Sequence, residues 1–144
     1  MTLRDWAVAA WARPGVAEAC LDLQDRHGQC VALLLWRLWA GAMPEAVLIQ
    51  VIEAARPFEH EVLRPLRAAR RAVGEGDLKA RIRAAELAAE YELLAALEAF
   101  TPLGDAGSPL DAETALAAVL RAWNGVGAEA AGPAARLAAA LRLC

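Results

Sequence analysis

The sequence predicts an all-α protein, folded as a single compact domain of about six or seven helices in an orthogonal or irregular bundle. Of its 144 residues, 37 are Ala and 22 are Leu, and both residue types favour helices. Val and Ile together number only 12, so the β-branched residues that favour strands are scarce. The strongest Pro and Gly signals also stand where a helix would begin or end.

Three helices are predicted in the N-terminal part of the chain. Thr2 and Asp5 resemble a capping box that opens the first helix, and the Arg-Pro-Gly triplet at 13–15 breaks it. The proline of that triplet opens a second helix, for which Gly28 suits the position after the last turn. A third helix spans about 29–41, where leucines recur at the spacing of one buried face.

In the middle of the chain, prolines indicate where helices begin or are interrupted. Pro44 opens a fourth helix, which Pro57 is predicted to interrupt. Pro65 lies inside the next helical pattern, where it removes one backbone donor. After a Gly-Glu-Gly turn, Asp77 is predicted to cap a long helix that runs to about Phe100.

The C-terminal part is predicted to hold two shorter helices. After a loop over 101–107, Ser108 suits an N-cap and Asp111 the third position of a helix that ends near Trp123. A Gly/Ala-rich stretch then precedes a last Ala-rich helix. The predicted division is a helical domain over 1–124, and a Gly/Ala linker with a short C-terminal helix over 125–144.

The charge distribution bears on possible partners. The formal net charge of −3 does not favour nucleic acid as a partner. Residues 56–83 hold eight of the fifteen basic side chains, whereas residues 84–120 hold seven acids and no base. We interpret these two segments first as complementary helix faces.

The cysteines and the hydropathy pattern predict a cytoplasmic protein. The three cysteines are odd in number and contain no C-x-x-C pair, which fits neither a disulfide framework nor a zinc site. The N-terminus begins as a helix, without the charged and apolar regions of a secretion signal. The longest apolar stretch, 31–43, contains Arg37 and is shorter than the ~20 residues that a membrane span needs.

The inventory of reactive side chains argues against most enzyme classes. There are one Ser, one Asn, one Tyr and two His, and the sequence lacks the common nucleophile, nucleotide-binding and zinc-protease motifs. We therefore expect no cofactor. A carboxylate–histidine metal site would need a repeated Glu-x-x-His spacing, which is missing, so no metal is expected either. The residues considered for it are Glu59, His60, Glu86 and Glu90.

The first candidate for function is the polar corner that precedes the most apolar helix. It contains Gln24, Asp25 and His27, just before Gly28. Histidine is the side chain whose charge changes most readily near neutral pH, which suits a switch or a recognition role. The structural alternative is that a histidine in the last turn of a helix simply complements the helix dipole.

The second candidate is a stripe of arginines on one helix face, formed by Arg64, Arg67 and Arg71 and bordered by Arg70. Such a stripe can bind phosphate groups or an acidic partner. The alternative is a solvated face that pairs with acids of the long helix, namely Glu86, Glu90 or Glu92. On this pattern we expect Arg67 to be solvated, so that its replacement costs little stability.

Several motifs resemble the bacterial DUF2390 family. The strongest is Gln-Asp-Arg-His-Gly at 24–28, followed by Leu-Leu-Leu-Trp at 33–36. The resemblance covers about residues 3–100 and includes three further segments, at 6–19, 61–71 and 79–90. It implies a small, helical, cytoplasmic protein, and it implies no activity because the family is functionally uncharacterised. The family often has Asn where Ala32 stands and Trp where Phe58 stands, so no role of that Asn transfers to this chain.

These observations favour a non-catalytic interaction or regulatory module. Its expected partner is another protein with an acidic surface, and a homo-oligomer is also compatible with the sequence. One alternative is a small enzyme with His27 and Asp25 as acid and base. Another is a carrier of a small apolar ligand with a Trp-lined pocket. An enclosed pocket beside His27 would favour the enzyme. An open groove there would favour the interaction module, and an internal Trp-lined cavity would favour the carrier.

Overall fold

A computed structural model of the chain describes residues 1–101, 111–125 and 128–142. These residues form helices and turns without a strand, so the predicted all-α fold is confirmed. The α-helices are α1 (Leu3–Trp11), α2 (Val16–His27), α3 (Val31–Ala40), α4 (Glu45–Phe58), α5 (Arg64–Ala72), α6 (Asp77–Phe100), α7 (Ala112–Asn124) and α8 (Ala131–Arg142). A π-helical turn, Glu59–Leu63, joins α4 to α5 without a break, and a 3₁₀ turn, Ala128–Ala130, precedes α8.

The helix ends agree with the local signals at most positions. The Thr2 side chain accepts a hydrogen bond from the backbone N–H of Asp5 at 3.1 Å, as the capping box predicts. Gly28 ends α2 with a φ of 64°, a left-handed conformation that glycine adopts without a steric penalty. Asp77, however, is the first residue of α6 rather than its cap, and its carboxylate instead pairs with Arg81 at 3.0 Å.

The start of α7 also differs from the prediction. The helix begins at Ala112, and Asp111 is its N-cap, accepting a 3.0 Å hydrogen bond from the backbone N–H of Thr114. An aspartate is as effective a cap as a serine, and here it lies next to the first helical residue. The predicted cap, Ser108, falls outside the described residues.

The predicted interruption at Pro57 is wrong. Pro57 lies inside α4, and the helical path continues through the π turn to Pro65 and beyond. Proline removes one backbone hydrogen bond, but packing on both sides can hold the helix together. Ile52 before the prolines and Leu63 between them are both fully buried in the same core.

The core surrounds α3, which contacts α1, α2, α6 and α7. Leu33, Leu34 and Trp36 of this helix are fully buried. The C-terminal helix α8 packs against α2 and buries Leu137 and Ala138 completely. No helix within the described ranges has the length and apolar character needed to cross a membrane.

Candidate functional site

The end of α2 is held by side chains that are distant in the sequence. The carbonyl oxygen of Gly28 accepts hydrogen bonds from Nε1 of Trp123 at 2.8 Å and from Nη2 of Arg64 at 3.3 Å. The carbonyl oxygen of His27 accepts from Nδ2 of Asn124 at 2.8 Å. The last carbonyl groups of a helix have no hydrogen-bond donor within the helix. The side chains of Trp123, Arg64 and Asn124 supply these missing donors at the end of α2. The Gln24–Gly28 motif is therefore a joint between α2, α5 and α7.

The side chains of the same motif reach the arginine stripe. The carboxylate of Asp25 accepts hydrogen bonds from Nη2 of Arg71 at 2.6 Å and from Nε2 of Gln24 at 3.3 Å. Together with the contact between Arg64 and Gly28, this pair brings the two candidate regions of the sequence into one surface.

Between α2 and α5 this surface forms an open cleft of about 260 Å³, which we call the arginine cleft. Its lining residues are Gln24, Asp25, Arg64, Arg67, Ala68 and Arg71. The side chains of Arg64 and Arg71 are 41% and 54% exposed, so both guanidinium groups face solvent. His27, two positions after Asp25 in α2, is not part of this lining.

Arg67 occupies the floor of the cleft and is buried, with only 7% of its surface exposed. The expectation of a solvated Arg67 is wrong. Its Nη2 donates to both carboxylate oxygens of Glu59, at 2.8 and 2.9 Å. Its Nε lies 3.9 Å from Glu86 and makes no hydrogen bond within the described part of the chain. A charge this deeply buried has to be paired, and Glu59 supplies the pair.

Behind the cleft lies a buried ionic network. The predicted pairing of the arginine stripe with acids of the long helix occurs there between Arg70 and Glu86, but the sequence patterns did not predict that Glu59 and Glu86 are buried. Glu59, on the π turn, is 1% exposed and pairs with Arg67. Glu86 of α6 is also buried and accepts a 2.6 Å hydrogen bond from Nε of Arg70. A π turn inserts one residue into the helix and rotates the residues after it, which changes the faces on which side chains lie.

The network continues to a cavity of about 60 Å³ that Cys30, Glu59, Arg67 and Glu90 line together with Gln24. Burial, reinforced by the charge of Glu86, raises the pKa of Glu90 to about 7. Burial also raises the pKa of the Cys30 thiol to about 12, so this thiol is not a nucleophile at neutral pH.

The acids considered for a metal site are close to one another, but arginines separate them. Among the residues that the structure describes, no group of three or more His, Cys, Asp or Glu side chains is arranged to hold a metal ion. His60 instead stacks on Trp123, with ring centroids 5.8 Å apart.

The tryptophans are divided between the core and the surface. Trp36 and Trp123 are buried, and the indole Nε1 of Trp36 donates to the Thr101 hydroxyl at 2.8 Å. Trp6 and Trp39 pack at the edge of the core. Trp11 is partly exposed and lines a surface groove.

A family model described as "Protein of unknown function (DUF2390)" matches residues 2–97. No curated protein and no solved structure matches the chain significantly. The matched segment contains the whole arginine cleft and the ionic network, whereas Trp123 and Asn124, which hold the end of α2, lie beyond it.

Proposed function

We propose that this chain, which belongs to the DUF2390 family of unknown function, is a non-catalytic cytoplasmic interaction module that binds an acidic segment of another protein. The observation that carries the proposal is the placement of Arg64 and Arg71. Two exposed guanidinium groups border one open cleft, and each is held by a contact with α2.

The contacts of these two arginines can be exchanged for contacts with a partner. The pair of Arg71 with Asp25 is exposed on both sides, and such pairs contribute only about 0–1 kcal/mol. Arg64 lies 3.3 Å from the Gly28 carbonyl and 3.7 Å from Glu59, which leaves further N–H donors open to solvent. A carboxylate that accepts two parallel hydrogen bonds from a guanidinium gains both energy and orientation.

The electrostatic balance of the cleft also favours an anionic partner. The cleft contains three positive charges, on Arg64, Arg67 and Arg71. Two negative charges oppose them, on Asp25 and Glu59. Because the pair of Glu59 with Arg67 is buried, it fixes the floor of the cleft and is not available for exchange. The proposed binding groups are therefore Arg64 and Arg71, with Gln24 as a neutral hydrogen-bonding neighbour.

The geometry gives less support to the acid–base enzyme. Residues two positions apart on a helix do not face each other, and the Asp25 carboxylate points to Arg71 rather than to His27. The cavity beside the motif is an open cleft, the arrangement that favours a binding surface.

The test is binding of a fluorescent peptide of alternating Glu and Gly, measured by anisotropy at low and moderate salt. We expect the double variant Arg64→Glu/Arg71→Glu to lose at least tenfold in affinity. The wild-type affinity should also fall as salt rises, because exposed charge pairs are screened. Circular dichroism checks that the variant remains folded.

The matched control is Arg81→Glu/Arg83→Glu, which makes the same change in net charge at two exposed arginines of α6. If the control loses as much affinity as the cleft variant, binding depends on net charge alone and the proposed site is wrong. Equal binding of a peptide of alternating Lys and Gly would also contradict the proposal.

A further inference from the structure

On another face of the molecule, α1, α3 and α6 enclose an apolar surface groove of about 290 Å³. Its walls include Val8, Trp11, Leu87, Tyr91 and Leu94. Val8, Trp11 and Leu87 are large apolar side chains that remain exposed. Contiguous exposed apolar surface in a small protein commonly marks a binding site.

One carboxylate interrupts this apolar lining. Glu90 borders both the groove and the small inner cavity that contains Glu59 and Arg67. Within residues 1–101, 111–125 and 128–142, Glu90 makes no hydrogen bond and no ion pair. Arg67 and Arg70 attract the charge of Glu90 from a longer distance, but their direct partners are Glu59 and Glu86.

We propose that this groove binds a small organic amine, with its apolar body between Trp11 and Leu87 and its ammonium group beside Glu90. The inference is independent of the arginine cleft. An apolar pocket with a single convergent polar group is the usual form of a small-ligand site. In its ionised form the Glu90 carboxylate, which has no direct hydrogen-bond or ion-pair partner among the described residues, selects a cation, and an aromatic wall adds attraction for an ammonium group.

The dimensions of the groove favour a small molecule over a partner helix. Leu87 and Leu94 are seven residues apart on α6, a rise of about 10 Å, and Val8 and Trp11 span less than one turn of α1. A docked helix would need an apolar stripe over several turns.

One cation already lies near the groove. The guanidinium of Arg4 covers the ring of Tyr91 at 4.1 Å from its centroid. This contact shows that an aromatic side chain of the groove wall accepts a cation. Because like charges repel, the ligand ammonium group is expected beside Glu90 and towards Trp11, which lies seven residues after Arg4 on α1.

The experiment is titration of the full chain with 2-phenylethylamine, monitored by NMR chemical shifts and calorimetry. We expect binding in the millimolar range or tighter, with at least fivefold weaker binding to Glu90→Gln. Binding should also be tighter at pH 8 than at pH 6 in the wild type only, because a bound cation favours the ionised form of Glu90. The other charged groups around Glu90 are Glu59, Arg67, Arg70 and Glu86.

The matched control is Glu92→Gln on the same helix, an exposed acid outside the groove, which should bind like the wild type. Trp11→Ala should weaken binding without abolishing its pH dependence. The neutral analogue 2-phenylethanol should bind more weakly than the amine. Equal affinity for the two compounds, no saturable binding, or a concentration-dependent dimer that buries Trp11 would each overturn the proposal.

Discussion

Nε1 of Trp123 donates a 2.8 Å hydrogen bond to the carbonyl oxygen of Gly28, across 95 positions of the sequence. This contact joins the end of α7 to the end of α2. The same carbonyl also accepts from Arg64, so one peptide group links three helices. The motif at the end of α2 therefore has a structural role beyond the arginine cleft that it borders.

Replacing Gly28 tests this joint. Its φ of 64° is unfavourable for any residue with a Cβ, and an added Cβ would lie 3.4 Å from Nδ2 of Asn124. We expect Gly28→Ala to lower the free energy of unfolding by about 1–2 kcal/mol, measured by urea denaturation. Gly74→Ala is the control, because a Cβ there meets nothing within 4 Å. A Gly28→Ala variant as stable as this control would show that the left-handed turn is not required.

The buried pair of Glu59 and Arg67 is tested by a double-mutant cycle. Arg67→Met removes the hydrogen-bonded partner of a buried carboxylate, and Glu59→Gln removes that of a buried guanidinium; the remaining neighbours, Arg64 and Glu86, lie 3.7 and 3.9 Å away, so each single change should cost about 3–5 kcal/mol. The double variant should cost clearly less than the sum of the two. Arg81→Met, at an exposed pair, should change stability by less than about 0.5 kcal/mol. Additive costs in the cycle would mean that the two side chains are not coupled.

The raised pKa of Glu90 predicts a pH-dependent stability. The value of about 7 in the folded protein exceeds the ordinary 4.5, so the folded state binds the extra proton between these two values. The contribution of Glu90 to wild-type stability should therefore fall as pH rises from about 4.5 to 7. Glu90→Gln cannot ionise, and its stability relative to wild type should rise over this range by roughly 1–2 kcal/mol, after allowing for solvent screening. A difference that is constant between pH 5 and pH 8 would contradict this assignment.

His27→Ala separates the two interpretations of the histidine. The His27 side chain is outside the lining of the cleft, and the partners of this residue bond to its backbone carbonyl. We expect affinity for the acidic peptide to change by less than twofold, and stability to fall by no more than about 1 kcal/mol. A large loss of peptide binding with unchanged stability would show that the His27 side chain belongs to the binding site.

The amino-acid sequence by itself determined the helices and most of their ends. Helix propensity and capping act over four residues or fewer, so Thr2 and Gly28 could be assigned from their neighbours. The sequence also identified Arg64 and Arg71 as one stripe, since residues spaced at the helical repeat share a face.

Only the tertiary structure decided which of these charges are buried and which residues meet. Glu59, the first residue of the π turn, is buried, and Arg67 on the helix that follows lies on the floor of the cleft. In the sequence, Glu90 is one of several acids on the long helix, and nothing distinguishes it from the others. Its partial burial arises from residues of α1, α3 and α5 that pack around it. The contacts of Gly28 with Arg64 and Trp123, and of Asp25 with Arg71, join residues tens of positions apart, so no local pattern could identify them. Burial and pairing arise from packing between helices, and the free energy of a charge depends on that packing.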